Sequence, residues 1–153
     1  MLTIKNWISR GKATAANGRP GVRALGLDGQ DSPDIIRLVQ AGFPFSRLAR
    51  FQKVTALPWD RMGRFVAIRQ RTLTRRQSDG RLRPDESDRV WRAAVVFDVA
   101  VDLFEGDTAA ATRWLLAPQV GLGGAIPLEI ASTDVGAREI ENLIGRLEHG
   151  VFA

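Results

Sequence analysis

The amino-acid sequence predicts an all-α protein, on three observations. Apolar residues recur three or four positions apart in successive segments between residues 32 and 153, which is the spacing of one helix face. Proline or a capping side chain opens most of these segments, and glycine or proline closes them. The longest apolar run, from Ala93 to Phe104, lies in a stretch of more than 20 residues with helix signals at both ends. Its valines would also suit a strand, but the length favours a helix.

Composition limits the classes of protein that this chain can be. A length of 153 residues suits one domain, or two small ones, with a real core. The absence of cysteine excludes disulfides and cysteine-ligated zinc. The first ten residues lack the apolar core of a signal peptide, and Asp98 and Asp102 interrupt the longest apolar run. We therefore predict a cytoplasmic protein with no membrane partner.

The net charge of +5 hides a sharp division along the chain. Residues 1–83 hold 17 lysines and arginines against 5 acids, a net charge of +12. Residues 84–153 hold 5 arginines against 12 acids, a net charge of −7. This asymmetry predicts a nucleic-acid-binding face in the first half and a different partner, or solvation, in the second.

Residues 1–31 are rich in glycine, alanine and basic residues and show little apolar periodicity, which predicts a flexible basic arm. Such arms contact phosphates or the minor groove of DNA. A solvated leader with no role is the alternative. The cations of the predicted arm are Lys5, Arg10, Lys12, Arg19 and Arg23.

Ordered structure is predicted to begin at Ser32-Pro33-Asp34, a capping residue followed by proline at the first helical position. This helix ends at Gly42. A second stripe, spaced three residues apart, runs up to Pro58, and both helices are predicted to form core. The stripe consists of Phe45, Leu48, Phe51 and Val54.

Residues 58–77 fit a helix-turn-helix, with a turn at residues 67–70. The apolar residues predicted to face inward are Met62, Phe65, Val66 and Leu73, with Trp59 near the start of the first helix. Arginine and threonine side chains on the second helix would supply donors for guanine edges and phosphates. A merely solvated basic face is the alternative. The predicted DNA-binding residues are Arg69, Arg71, Thr72, Thr74, Arg75 and Arg76.

A long central helix is predicted from Pro84-Asp85-Glu86 to Gly106, and shorter helices follow it. Asp107 caps the first of these, Pro118 ends it, and Pro127 opens the next. The last helix begins at Thr133 or Asp134. Its predicted inward residues are Val135, Ile140, Leu143, Ile144, Leu147 and Val151, and close helix packing is the expected reason for Gly136 and Gly145.

Two candidate chemical sites fail on inspection of the residues. His149 is the only histidine and has no partner at ligand spacing, so metal binding and triad catalysis are not expected. The turn Gly121–Gly124 matches neither the dinucleotide fingerprint nor the P-loop pattern. We expect it to reverse the chain between helices.

Three blocks together resemble the antitoxins of the Xre/MbcA/ParS class, which are partners of RES-domain toxins. They are RTLTRR (71–76), DESDRVWR (85–92) and WLLAPQVGLGGAIPLEIASTDVGAREIENLIGRLEHGV (114–151). The last block is the most specific, and the resemblance covers about residues 32–153. It implies an Xre-like helix-turn-helix domain for DNA binding and dimerisation (32–83), followed by a small helical toxin-binding domain (84–153).

The resemblance also implies a function. The cognate toxin would consume NAD or transfer ADP-ribose from it, and the antitoxin would block the toxin's pocket, hold no cofactor, perform no reaction and repress its own operon. A homodimer on operator DNA at the bacterial nucleoid is expected. A phenylalanine near the chain end would be exposed unless something covers it; single exposed apolar residues are common, but the resemblance favours a plug formed by the tail. The predicted toxin-binding residues are Gly123, Gly124, Arg138, Glu148, His149, Gly150, Val151 and Phe152.

Two other classes of protein stay open at this point. One is a stand-alone transcription regulator whose C-terminal helices only dimerise it. The other is an enzyme that uses the glycine turn as a nucleotide site, which an NAD titration would test.

Overall fold

The computed structural model describes residues 18–150, which form helices joined by short turns. Within that range the only strand-like feature is an isolated bridge between Pro44 and Arg81, so the predicted all-α fold is confirmed. The helices are α1 (Pro20–Ala24), α2 (Ser32–Ala41), α3 (Phe45–Thr55), α4 (Trp59–Val66), α5 (Gln70–Asp79), α6 (Pro84–Leu103), α7 (Thr108–Leu116), a 3₁₀ turn (Val120–Leu122), α8 (Pro127–Ile130) and α9 (Asp134–Glu148).

The long helix α6 is the centre of the molecule, as its apolar sequence predicts. It packs against four helices that precede it in the sequence, α1, α2, α3 and α4, and against two that follow it, α7 and α9. Every residue from Ala93 to Val101 is buried. Pro84 occupies its first turn, and the Glu86 carboxylate accepts a hydrogen bond from the Arg83 N–H at 2.8 Å. One hydrophobic core therefore serves both halves of the chain.

The structure corrects the predicted arm over residues 20–27. These residues form α1 and the turn after it, and Val22, Leu25 and Leu27 are buried in the common core. The N-terminus of α1 is held by Asp98 of α6, whose carboxylate accepts N–H hydrogen bonds from Gly21 at 2.7 Å and from Val22 at 2.9 Å. A five-residue helix is too short to show a periodic apolar stripe, which is why the segment resembled an arm.

The last two cations of the predicted arm form ion pairs within the protein. Arg19 and Arg23 both lie near Asp28, with N···O distances of 3.4 Å and 3.8 Å. The basic residues at positions 5, 10 and 12 lie outside the described residues.

The predicted helices α2 and α3 are confirmed with small changes. Asp31, one residue earlier than expected, caps α2 by accepting the Asp34 N–H at 2.9 Å. The apolar stripe of α3 packs inward, with Phe51 fully buried and Phe45 stacked on Trp59 of α4 at 5.8 Å between ring centroids.

The C-terminal helices begin where the sequence predicts. The Asp107 carboxylate accepts the Ala110 N–H at 3.0 Å, Pro127 lies in the first turn of α8, and Thr133 caps α9 by accepting the Gly136 N–H at 2.9 Å. None of the described helices combines the length and apolar character needed to cross a membrane.

Two details of α9 differ from the prediction. Val135, predicted to face inward, is instead 72% exposed in the first turn of α9. Close packing is correct for Gly136, where a Cβ would collide with the carbonyl oxygen of Ile130, but wrong for Gly145, which has no atom within 4 Å of that position. The apolar residues Ile140, Leu143 and Ile144 are buried as predicted.

Candidate functional site

The helix-turn-helix geometry predicted for residues 58–77 is present. Helix α4 ends at Val66, the next residue, Ala67, is left-handed with φ of 53°, and α5 begins at Gln70. The four predicted inward residues, Met62, Phe65, Val66 and Leu73, are all buried.

Gly63 brings the turn close to α4, a role that the sequence analysis missed. A Cβ at Gly63 would lie 2.8 Å from the Ile68 carbonyl oxygen and 2.7 Å from Nε2 of Gln70. The Gln70 side chain also donates to the carbonyl of Trp59 at 2.7 Å. The contact could have been predicted from the glycine itself, because Gly63 lies inside the first helix, where a residue without a side chain allows another segment to approach closely.

The exposed face of α5 carries most of the predicted DNA-binding side chains. Arg69, Arg71 and Arg75 are exposed, and none of the three forms an ion pair with a carboxylate between residues 18 and 150. Thr74 is exposed and donates to the Gln70 carbonyl at 3.1 Å, whereas Thr72 is half-buried. Three free guanidinium groups, one at the residue before α5 and two on the helix, are suited to phosphates and guanine edges.

Arg76 is the predicted DNA-binding residue that the structure places elsewhere. Its side chain is buried, and Nε donates to Oε1 of Glu86 on α6 at 2.7 Å while Nη1 lies 3.3 Å from Asp79. The hydrogen bond that Arg76 donates to Glu86 raises the pKa of the Arg76 guanidinium above its ordinary value, although burial opposes this. Arg76 follows Leu73 by three positions and so shares its inward face, a signal already present in the sequence.

The helix-turn-helix contacts the C-terminal half directly through α8. Helix α8 packs against α4, and Nη1 of Arg64 lies 3.4 Å from Oε1 of Glu129. An open cavity of about 440 Å³ adjoins this contact at the α4–α5 turn. It is lined by Asp60, Gly63, Arg64, Ala67, Ile68, Arg69 and Gln70.

The glycine turn reverses the chain between α7 and α8, as predicted. Gly123 and Gly124 are exposed and have φ of 65° and 85°, values that favour glycine. The turn rests on α9, because the Leu143 side chain occupies the space where Gly121 would carry a Cβ. Beside it, Val120 is 97% exposed.

The other predicted toxin-binding residues lie along α9. Arg138 is exposed, with Nε 3.1 Å from Oδ2 of Asp134. Glu148, His149 and Gly150 are exposed at the C-terminal end of the helix, beyond the buried Leu143 and Ile144 and the half-buried Leu147. The predicted residues Val151 and Phe152 lie outside the described residues.

The same helix holds a buried acid that the apolar pattern did not reveal. Glu141 is 5% exposed, and its pKa is raised to about 7, chiefly by burial; Arg138 opposes this rise and Asp134 contributes to it. No group of three or more His, Cys, Asp or Glu side chains between residues 18 and 150 is placed to hold a metal ion.

Two family models match the chain in succession. Residues 34–95 match the antitoxin Xre-like helix-turn-helix domain, and residues 99–150 match the antitoxin Xre/MbcA/ParS C-terminal toxin-binding domain. The two matches meet inside α6, whereas the predicted boundary at 83/84 precedes this helix.

Two similar proteins are both named as Xre antitoxins. The "Antitoxin Xre" of Yersinia enterocolitica serotype O:8 / biotype 1B is 39% identical over 132 residues, which are 86% of this chain and 89% of that protein. The "Antitoxin Xre" of Photorhabdus laumondii subsp. laumondii is 35% identical over the same shares of the two chains. With this coverage and both domains matched in order, the chain belongs to the Xre antitoxin family, with an Xre-like helix-turn-helix domain followed by a toxin-binding domain.

Proposed function

We propose that this protein is the antitoxin of a type II toxin–antitoxin system, which occludes the NAD-consuming active site of a RES-domain toxin and represses its own operon. The observation that carries the proposal is the pair of matched domains on one core: a helix-turn-helix with free arginines and a domain of the toxin-binding family. It performs no reaction of its own and needs no cofactor.

The DNA-binding part of the proposal rests on α5. Arg69, Arg71 and Arg75 would contact bases and phosphates, with Thr74 and the half-buried Thr72 adding hydroxyl groups. Arg76 is excluded from this set, because it is buried beside Glu86. A homodimer would place two such helices on paired half-sites of the operator.

The toxin-binding part rests on the exposed features of the C-terminal half. Gly123 and Gly124 offer accessible backbone, Arg138 offers an exposed guanidinium, and residues 148–152 would enter the toxin's pocket. The net charge of −7 over residues 84–153 suits a pocket whose basic groups bind dinucleotide phosphates.

A reconstitution tests both parts. The products of the neighbouring genes are each co-expressed with the chain and purified, and the NAD consumption of a co-purifying RES-type protein is measured with and without the chain. We expect the two proteins to co-purify, and we expect NAD consumption to be lost when the chain is present in stoichiometric amount. In parallel, a duplex from the operon's promoter is titrated, and we expect tighter binding than to an unrelated duplex. Full toxin activity in the complex would disprove occlusion, and equal affinity for both duplexes would disprove repression of the operon.

A further inference from the structure

A second group of cations lies on α3, a different helix from the one that carries the predicted DNA contacts. Arg47, Arg50 and Lys53 are spaced three residues apart and therefore share one face of α3. A Cβ built on Gly26, in the turn after α1, would lie 3.5 Å from Nη1 of Arg47 and 3.7 Å from Nη2 of Arg50. Both guanidinium groups thus converge on one exposed point of the surface.

The backbone holds this arrangement in place. Nη1 of Arg47 donates to the carbonyl oxygen of Leu25 at 2.9 Å, and its side chain is half-buried. Gly26 has φ of +73°, and its N–H donates to the Arg23 carbonyl at 2.9 Å. Because Leu25 and Leu27 on either side are buried, the turn is fixed to the core.

No carboxylate of the described part of the chain neutralises these cations. Arg47, Arg50 and Lys53 form no ion pair within 4.0 Å between residues 18 and 150. The acid nearest in sequence to the turn, Asp28, lies instead beside Arg19 and Arg23. Two positive groups that converge without a counter-charge repel each other, and an anion between them removes that repulsion.

We propose that Arg47 and Arg50 form a phosphate site centred on Gly26, which binds a backbone phosphate of duplex DNA, with Lys53 on the same face of α3. The inference rests on the proposed DNA-binding function and deepens it. Guanidinium groups bind phosphate oxygens with paired, charge-assisted hydrogen bonds. The site gives affinity without sequence specificity, because phosphates carry no base information. The net charge of +12 over residues 1–83 favours DNA over an acidic protein as the occupant.

The salt dependence of DNA affinity tests the site. Affinities of the full chain for its promoter duplex and for an unrelated duplex are measured at several salt concentrations, for the wild type, Arg50→Ala and Arg47→Ala/Arg50→Ala. The site holds one phosphate, and one lost phosphate contact lowers the logarithmic salt slope by about 0.9, so we expect a decrease of about 0.9 in the double variant and a smaller decrease in Arg50→Ala, on both duplexes. The ratio of the two affinities should not change. Arg113→Ala is the matched control, because Arg113 is an exposed arginine of the acidic half.

Each other result overturns the site. An unchanged slope in the double variant, or an equal decrease in Arg113→Ala, would show that no local phosphate contact exists. An unchanged slope with an altered sedimentation coefficient would assign the cations to contact between copies of the chain. A wild type that binds neither duplex would disprove this site together with the proposed DNA binding.

Misfolding of the double variant is controlled in two ways. Circular dichroism reports its helical content, and the Nε–Hε NMR signal of Arg50 is followed in the unaltered wild type during addition of duplex. We expect this signal to shift. A stationary Arg50 signal while the Arg71 and Arg75 signals move would overturn the site.

Discussion

Arg75 and Arg76 are neighbours on α5, yet their surroundings give them opposite roles. The Arg75 guanidinium is exposed and free of carboxylates among residues 18–150, whereas the Arg76 guanidinium lies between Glu86 and Asp79. One is available to a ligand, and the other fastens the helix to α6. The difference follows from the helical period, since Arg76 shares the face of the buried Leu73.

Substitution separates these two roles. We expect Arg75→Ala to weaken promoter binding by about 1–3 kcal/mol if it reads a guanine, with no change in Tm. Arg76→Ala should lower Tm, because it leaves the Glu86 carboxylate buried without its ion-pair partner. DNA titration and thermal unfolding measure the two effects.

A compensating pair controls the Arg76 result. Arg76→Met with Glu86→Gln removes both charges, while the glutamine can still accept the Arg83 N–H. We expect this pair to recover most of the lost Tm. A Tm below that of Arg76→Ala would contradict the ion-pair explanation.

The two glycines of α9 form a second contrast at the scale of single residues. Gly145→Ala should stabilise the protein by about 0.5–1 kcal/mol, because a methyl group meets no neighbour and alanine favours helix. Gly136→Ala should destabilise it by about 1–3 kcal/mol, because the methyl group collides with the Ile130 carbonyl. Urea unfolding measures both free energies of unfolding. A Gly145→Ala variant less stable than the wild type would contradict the open space beside Gly145.

At the scale of elements, the sequence predicts α2 to α9 but not α1. Helices α2 to α9 show either a periodic stripe or clear caps, such as Asp107, Pro127 and Thr133. Helix α1 has five residues, and its N-terminus is satisfied by Asp98, 77 positions later in the chain. No local pattern can reveal a cap that comes from so far away. The helical period alone places Arg76 on the inward face of Leu73, but its partner Glu86 lies on another helix and could not be predicted from the local pattern.

The α1 cap makes stability depend on pH. The pKa of Asp98 is raised to about 7, chiefly by burial and also by the neighbouring Asp102, while the Val22 and Gly21 N–H groups and Arg19 act in the opposite direction. In the unfolded chain the pKa is about 3.9. A raised folded-state pKa means that the native state binds the proton more tightly. The contribution is therefore greatest below about pH 4 and declines until about pH 7.

Urea unfolding at pH 5 and pH 8 measures this decline. We expect Asp98 to contribute a loss of about 3 kcal/mol in the free energy of unfolding over that interval. Asp98→Asn should be less stable than the wild type at pH 5, because the amide replaces one of the two acceptors, but it should lose less stability on going to pH 8. Part of the pH dependence of stability should remain in Asp98→Asn, because the pKa of Glu141 is also raised to about 7. An equal loss in both proteins would contradict the assignment to Asp98.

At the scale of the whole molecule, the two family matches are regions of sequence that share one core. Helix α6 contacts α1, α2 and α4 as well as α7 and α9. Arg92 of α6 also donates a hydrogen bond of 3.3 Å to the Ser132 carbonyl. A fragment of residues 84–153 would expose the α6 surface that α1, α2 and α4 cover. We expect it to lack cooperative unfolding in circular dichroism. A fragment with a sharp transition near the Tm of the full chain would show that the C-terminal region folds alone.

The C-terminal end of α9 offers the sharpest test of how the whole molecule would act on a toxin. Leu143 and Ile144 are buried and Leu147 is half-buried, so deletion of residues 148–153 keeps the anchor of α9. We expect the truncated chain to retain its Tm and its promoter affinity but to leave the NAD consumption of the proposed RES-type toxin largely uninhibited. Burial of Phe152 alone would contribute about 1.5–3 kcal/mol to the complex, so Phe152→Ala should weaken inhibition in the same direction. Complete inhibition by the truncated chain would move the plug from the tail to the surface formed by Gly123, Gly124 and Arg138.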